Sequence, residues 1–193
     1  TALNRAVTRK WLTAAVARVF SPGCKFDFVL TLQGPEGIGK STLLNTLAGT
    51  WFCDSFSLTM KESRKYEIAA MAWIIEIPEL NGMDKATVES AKAFISSTND
   101  KYRRAYAVSV EENPRHCVFA ASTNEAFFLK GDTGNRRWWI VPLNGKASPD
   151  YWIDSLKADV SQIWAEAYQY YLDGEKLFLN TNLEKEARDK QAK

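Results

Sequence analysis

A glycine-rich run between an apolar segment and a helix-like segment constrains this chain more than any other feature. Residues 34–41 read GPEGIGKS and fit the pattern G-x-x-x-x-G-K-[ST]. Glycines let backbone N–H groups face phosphate oxygens, while a lysine suits the β- and γ-phosphates and a hydroxyl suits Mg²⁺. The run therefore predicts a loop that binds a nucleoside triphosphate, and the alternative is a glycine-rich surface turn. The predicted nucleotide contacts are Gly34, Pro35, Glu36, Gly37, Ile38, Gly39, Lys40, Ser41 and Thr42, and Ser41 is also a predicted Mg²⁺ ligand.

Strand-like and helix-like segments alternate along the rest of the chain, which is typical of an α/β fold with a parallel sheet. The apolar patterns predict strands at 26–32, 51–56, 73–78, 115–121 and 138–141, and helices at 3–20, 41–48, 63–72, 84–98 and 149–173. A chain of 193 residues with 46% hydrophobic content can bury one good core. We therefore expect one domain, with a core over 1–145, a helical C-terminal part over 146–193 and a frayed, highly charged end from 184 onward.

Polar side chains at two predicted strand ends are candidates for catalysis. A triphosphatase needs an acid near Mg²⁺ and a group that orients the attacking water. Glu76 ends an apolar strand and is a predicted Mg²⁺ ligand, and Glu79, just past Pro78, is a predicted water-polarising base. Asn124 follows the strand at 115–121 and could hold the γ-phosphate or the water. The alternatives are solvated glutamates and an asparagine in a local turn.

Two groups of cations have separate predicted roles. Arg136 and Arg137 follow a glycine-containing loop and lead into a strand, so one of them could be an arginine finger for a neighbouring subunit's nucleotide. The alternative is that they stack on the tryptophans that follow.

The second group is basic residues interleaved with tyrosines in a predicted β-hairpin. Lys101, Arg103 and Arg104 alternate with Tyr102 and Tyr106, a combination typical of single-strand binding. The predicted hairpin strand is 102–110 and its turn is 111–114. The net charge of +2 is too small to indicate nucleic-acid binding by itself, so a solvated edge strand is the alternative.

In chain order, GPEGIGKST, WIIEIPEL, RHCVFAASTN and GDTGNRRWW make residues 7–175 resemble the virulence-associated protein E family of phages and mobile genetic elements. The resemblance implies an AAA+ P-loop ATPase related to superfamily 3 helicases. It implies ATP and Mg²⁺ as ligands, a ring that is a hexamer, and single-stranded or forked DNA as partner. It also implies a C-terminal module with a primase-like region upstream, as in the longer members of the family, and Thr1 as the first residue agrees with this expectation.

The same resemblance assigns roles to individual residues. It makes Lys40 and Ser41 the Walker A pair, Glu76 and Glu79 the Walker B acids, Asn124 the sensor and Arg136 or Arg137 the finger. The segment 92–104 corresponds to the one that bears the DNA-contacting hairpin. Two residues, Ile77 and Pro78, separate the acids, which leaves open which acid holds Mg²⁺.

Two other functions remain open on the sequence. A small-molecule or nucleoside kinase would have a phosphate loop and a similar size, and a non-motor ATP-dependent loader or regulator would have the same site without unwinding DNA. The chain has no apolar run near the roughly 18 residues of a membrane span, which predicts a cytoplasmic protein without a membrane partner.

Overall fold

The computed structural model describes residues 1–78, 85–103, 108–124, 135–145 and 149–191, and a parallel sheet lies at its centre. The strands of this sheet are β1 (Val29–Gln33), β2 (Phe52–Cys53), β3 (Ile74–Ile77), β6 (Val118–Thr123) and β7 (Trp138–Pro142). Their order is β2-β3-β6-β1-β7, and every neighbouring pair is parallel. The predicted α/β class with a central parallel sheet is confirmed.

Helices cover both faces of the sheet. They are α1 (Ala2–Phe20), α2 (Lys40–Ala48), α3 (Glu62–Met71), α4 (Lys85–Ser96), α5 (Pro149–Leu172) and α6 (Thr181–Gln191), with 3₁₀ turns at Gly49–Trp51 and Asn135–Arg137. One apolar layer joins the sheet to α1, α2, α5 and α6. The other joins it to α3 and α4.

Strand periodicity determines which layer each side chain enters. Successive side chains of a strand point to opposite faces. In β3, Ile75 and Ile77 pack in the layer of α3 and α4, whereas Ile74 packs in the layer of α1 and α2. Glu76 therefore faces the same side as α2. This alternation brings an acid from the middle of a buried strand to the helix that follows the phosphate loop.

The predicted β-hairpin exists, but the predicted bounds of its strand and turn were wrong. β4 (Asn99–Tyr102) pairs antiparallel with β5 (Glu111–Pro114), so residues predicted as the turn form a strand. Contacts of inward-facing side chains determine which residues form the two strands, and the pattern of apolar residues in the sequence does not show these contacts. Asp100 forms a buried ion pair with Arg115, and Tyr102 stacks on Tyr66 with ring centroids 5.8 Å apart. Val108, which lies within the predicted hairpin strand 102–110, is 98% exposed.

The described residues of the charged end, through Gln191, are helical rather than frayed, so that prediction was also wrong. The charged residues of α6 hid its apolar side, from which Ala187 enters the core. Gln191 Nε2 donates to the Trp138 carbonyl at 2.6 Å, and Lys190 Nζ donates to Asn4 Oδ1 at 3.0 Å. These contacts hold α6 beside the start of β7. Within the described part of the chain, no helix combines the length and apolarity needed to cross a membrane.

Candidate active site

The glycine-rich loop joins β1 to α2 and requires glycine at both of its ends. The Gly34 N–H donates to the Thr123 carbonyl at 3.0 Å, which ties the loop to the end of β6. A Cβ at Gly34 would lie 2.7 Å from the Leu143 carbonyl oxygen, so no larger residue fits without backbone movement. Gly39, just before α2, has φ +88°, a conformation that residues with a Cβ rarely adopt. Close packing at one end and left-handed backbone at the other therefore shape the loop.

Lys40 is the first residue of α2, and its side chain folds back over the loop. Its Nζ donates to the carbonyl oxygens of Gly34 and Pro35, both at 2.7 Å. Burial lowers the pKa of Lys40, while the negative charges of Glu36 and Glu76 oppose that shift. The first N–H groups of a helix lack intrahelical acceptors and carry a partial positive charge. The ammonium group and the start of α2 together make this end of the loop suited to an anion.

Ser41 and Glu76 form the part of the site that fits a metal ion. Ser41 Oγ donates to Glu76 Oε1 at 2.8 Å. Glu76 is 1% exposed, and its Oε2 has no hydrogen-bond partner among the described residues. A buried carboxylate oxygen without a partner is costly. Because Mg²⁺ binds carboxylate and hydroxyl oxygens, this pair has the donor chemistry for that ion.

Asn124 lies at the third corner of the site. It follows β6 directly, and β6 lies between β1 and β3, so Asn124 stands between the loop and the strand of Glu76. Its Nδ2 donates to Glu36 Oε1 at 2.9 Å. A cavity of about 550 Å³ opens here, a size that suits a small-molecule ligand. It is lined by Glu36, Gly37, Gly39, Lys40, Ser41, Thr42, Pro78, Ser122, Thr123 and Asn124.

Arg136 and Arg137 do not join this group. They precede β7, whose first residue Trp138 is level with Val29 at the start of β1, whereas the loop follows the end of β1. Arg137 Nε donates to Ser96 Oγ at 2.9 Å. Arg136 is exposed and has no hydrogen bond or ion pair to any part of the chain that the structure describes. The arginines thus lie at the amino edge of the sheet, and the phosphate loop lies at its carboxyl edge.

The predicted DNA-contacting residues are only partly available. Lys101 Nζ lies 3.5 Å from Glu112 Oε2 on the facing strand, and both side chains are exposed. Arg103 is also exposed. Tyr102 was predicted to offer a stacking face, which is wrong, because it is 7% exposed and packs inward. Arg104 and Tyr106, together with the predicted base Glu79, lie outside the described residues.

Sequence reasoning missed two features of the site. Ser122 and Thr123 line the cavity, and their place just before Asn124 at a strand end was the available signal. Glu36 was predicted only as part of the loop backbone, yet its side chain contacts Asn124. No pattern in the sequence joins residues 88 positions apart.

The whole chain, residues 1–193, matches the virulence-associated protein E-like domain. The chain belongs to this family. The predicted resemblance is therefore confirmed. No protein of curated function matches the chain.

Solved structures support the same fold for this virulence-associated protein E-like domain. The apo structure of the NrS-1 C-terminal region aligns with 96% of this chain and 47% of its own, with a TM-score of 0.60 and 14% sequence identity. An A-form apo structure of that region aligns with 84% of this chain and 39% of its own, with a TM-score of 0.55 and 15% identity. This chain thus spans less than half of the solved chains, and at such identity the likeness concerns the fold.

Proposed function

We propose that this domain is an ATPase that binds ATP and Mg²⁺ at the carboxyl edge of the sheet. One observation carries the proposal: Ser41 Oγ bonds one oxygen of the buried Glu76, and the other oxygen has no partner among the described residues. That geometry stands next to a glycine loop whose lysine is the first residue of a helix. A structural role alone leaves the second carboxylate oxygen unexplained, because buried polar atoms are normally hydrogen-bonded.

Each residue of the site has a defined task in this proposal. The loop N–H groups and Lys40 bind the phosphates, so Lys40 exchanges the carbonyls of Gly34 and Pro35 for phosphate oxygens. Ser41 and Glu76 hold Mg²⁺, which when bound offsets negative charge on the phosphate oxygens. Asn124 orients the terminal phosphate or the attacking water. Glu79 remains the proposed base that polarises this water.

The active site is completed by a second subunit. Arg136 lies at the amino edge, so it cannot serve the loop of its own chain, and its guanidinium is exposed without a described partner. Arg137 is instead tied to Ser96. We therefore assign the arginine finger to Arg136, acting on a neighbour's ATP in a ring that is a hexamer. Among the described residues no arginine lines the cavity beside the phosphate loop, which disfavours a kinase with an arginine-rich lid.

The proposed biological role is replication of a phage or mobile genetic element, with a primase-like region upstream in the full-length protein. Single-stranded or forked DNA would contact the β4–β5 hairpin through Lys101, Arg103 and Arg104. One observation favours the non-motor loader or regulator as a second candidate. Glu112 offsets the charge of Lys101, which leaves a thin basic surface for a motor. A forked-duplex assay with ATP separates the two candidates.

Turnover of ATP by Lys40→Ala tests the proposed ATPase. We expect this variant to fold but to keep less than about a tenth of wild-type turnover, because no other described residue offers the phosphates a cation from the loop. Lys157→Ala, an exposed lysine on α5 paired with Asp154, is the matched control and should behave as wild type. Equal turnover by Lys40→Ala and the wild type would reject the proposal. Transfer of phosphate to a small acceptor would favour the kinase.

A further inference from the structure

The loop that is suited to phosphate also carries a carboxylate into the cavity. Glu36 is exposed and lines the cavity together with Lys40 and Ser41. Its Oε1 accepts the hydrogen bond from Asn124 Nδ2 at 2.9 Å. This bond joins the loop after β1 to the end of β6, so it connects two walls of the cavity through side chains.

Phosphate binding by itself does not explain a carboxylate at this point. A triphosphate carries several negative charges, and like charges a few ångströms apart repel each other. To contact the terminal phosphate, the Asn124 amide must direct its N–H groups toward phosphate oxygens. In the nucleotide-free protein, its Nδ2 instead donates to Glu36. A bound triphosphate and the carboxylate of Glu36 therefore compete for Asn124.

We propose that Glu36 is a charge gate on the phosphate site, which holds Asn124 until a triphosphate displaces it. The inference rests on the proposed ATPase and adds a determinant of specificity to it. A diphosphate lacks the group that competes for Asn124, so it leaves the bond between Glu36 and Asn124 in place. Glu36 thus lowers the affinity for triphosphate more than the affinity for diphosphate. It is a positioning residue, because it acts through Asn124 and through charge.

Binding of a non-hydrolysable ATP analogue, AMP-PNP, and of ADP tests the gate in the presence of Mg²⁺. In Glu36→Gln the Kd for AMP-PNP should fall about fivefold, the scale of one weakened charge repulsion near a protein surface. The Kd for ADP should change less than about twofold, because a diphosphate does not displace the bond between Glu36 and Asn124. The difference should shrink as salt rises, since the carboxylate is exposed. Glu186→Gln, an exposed glutamate on α6, controls for net charge and should match the wild type.

A double-mutant cycle with Asn124→Ala separates the hydrogen bond from the charge. In that background Glu36→Gln should tighten AMP-PNP binding less than in the wild type, because no amide remains to be released. The gate would be overturned if Glu36→Gln bound AMP-PNP no more tightly than the wild type while Lys40→Ala still abolished binding. That result would leave the proposed ATPase intact. If the wild type bound nucleotide no more tightly than Lys40→Ala, both the proposed ATPase and the gate would be overturned.

Discussion

The two edges of the central sheet differ in how their polar groups are arranged. At the carboxyl edge, Lys40, Ser41 and Asn124 line one cavity, and Ser41 donates a hydrogen bond to the buried Glu76. At the amino edge, the Arg136 side chain is exposed without a partner in the described residues, whereas Arg137 is hydrogen-bonded to Ser96 and Arg115 is buried. The carboxyl edge thus has a lined cavity, whereas the amino edge presents the exposed guanidinium of Arg136. The difference motivates the proposal that a second chain supplies Arg136 to the cavity at the carboxyl edge.

The largest expected effect is on the amino edge. Arg136→Ala should lower ATP turnover by about 10³-fold or more, the range of arginine fingers, with Kd for ATP much less affected. Arg137→Ala is the matched comparison and should cost far less, because Arg137 is engaged by Ser96. Steady-state turnover and equilibrium binding measure the two effects. A larger loss of turnover in Arg137→Ala than in Arg136→Ala would indicate that Arg137 is the arginine finger.

The amino edge also contains the buried anchor of the hairpin. Arg115 and Asp100 are almost fully buried, and Arg115 Nε donates to Asp100 Oδ2 at 3.0 Å. Asp100→Ala leaves a buried guanidinium without its carboxylate, so we expect a loss of about 3–5 kcal/mol in the free energy of unfolding. Glu112→Ala breaks the exposed pair with Lys101 and should cost no more than about 1 kcal/mol. Urea unfolding that gives equal losses would contradict the structural difference between the two pairs.

At the carboxyl edge, Glu76→Gln should separate function from stability. Turnover should fall about 100-fold, the scale for removing one group that stabilises developing charge. The variant should melt no lower than the wild type without Mg²⁺, since it removes a buried charge that is only half satisfied. Differential scanning with and without Mg²⁺ and nucleotide checks both effects. A clearly lower melting temperature in the absence of ligand would mean that Glu76 is structural.

A smaller effect is expected at the hairpin. Lys101→Ala and Arg103→Ala should each lower the log–log salt slope of single-stranded DNA binding by roughly 0.7, with basal ATP turnover retained. Glu112→Gln should tighten DNA binding, because it releases Lys101 from its ion pair. Fluorescence anisotropy over a salt series measures these slopes. If neither alanine variant changed the salt slope, the hairpin would not be part of the DNA interface.

The smallest effect concerns pH. Burial lowers the pKa of His116 below its ordinary value of 6.5, while the charge of Asp100 opposes the shift. The unfolded chain therefore binds more protons than the folded chain in mild acid. The stability from neutral His116 is complete above about pH 6.5 and is lost as pH falls through the lowered folded-state pKa. Urea unfolding at pH 7.5 and 5.5 should show a smaller decrease for His116→Gln, and an equal decrease would exclude this linkage.

The carboxyl edge was largely predictable from the sequence because local rules determine it. The loop pattern specifies its own backbone, and strand alternation explains why Glu76 meets α2. The hairpin was less predictable, because its register depends on Asp100 and Tyr102 finding Arg115 and Tyr66 across the fold. The contact between Glu36 and Asn124 was not predictable either, since only the strand order brings the loop to the end of β6.

Mixing two inactive variants tests the central claim, a site assembled from opposite edges of two subunits. Lys40→Ala supplies an intact Arg136, and Arg136→Ala supplies an intact phosphate loop. We predict that the mixed subunits turn over ATP faster than either variant alone at the same total concentration, and that wild-type turnover per subunit rises with protein concentration. A mixture no faster than the average of its two parents, together with turnover independent of concentration, would contradict the claim.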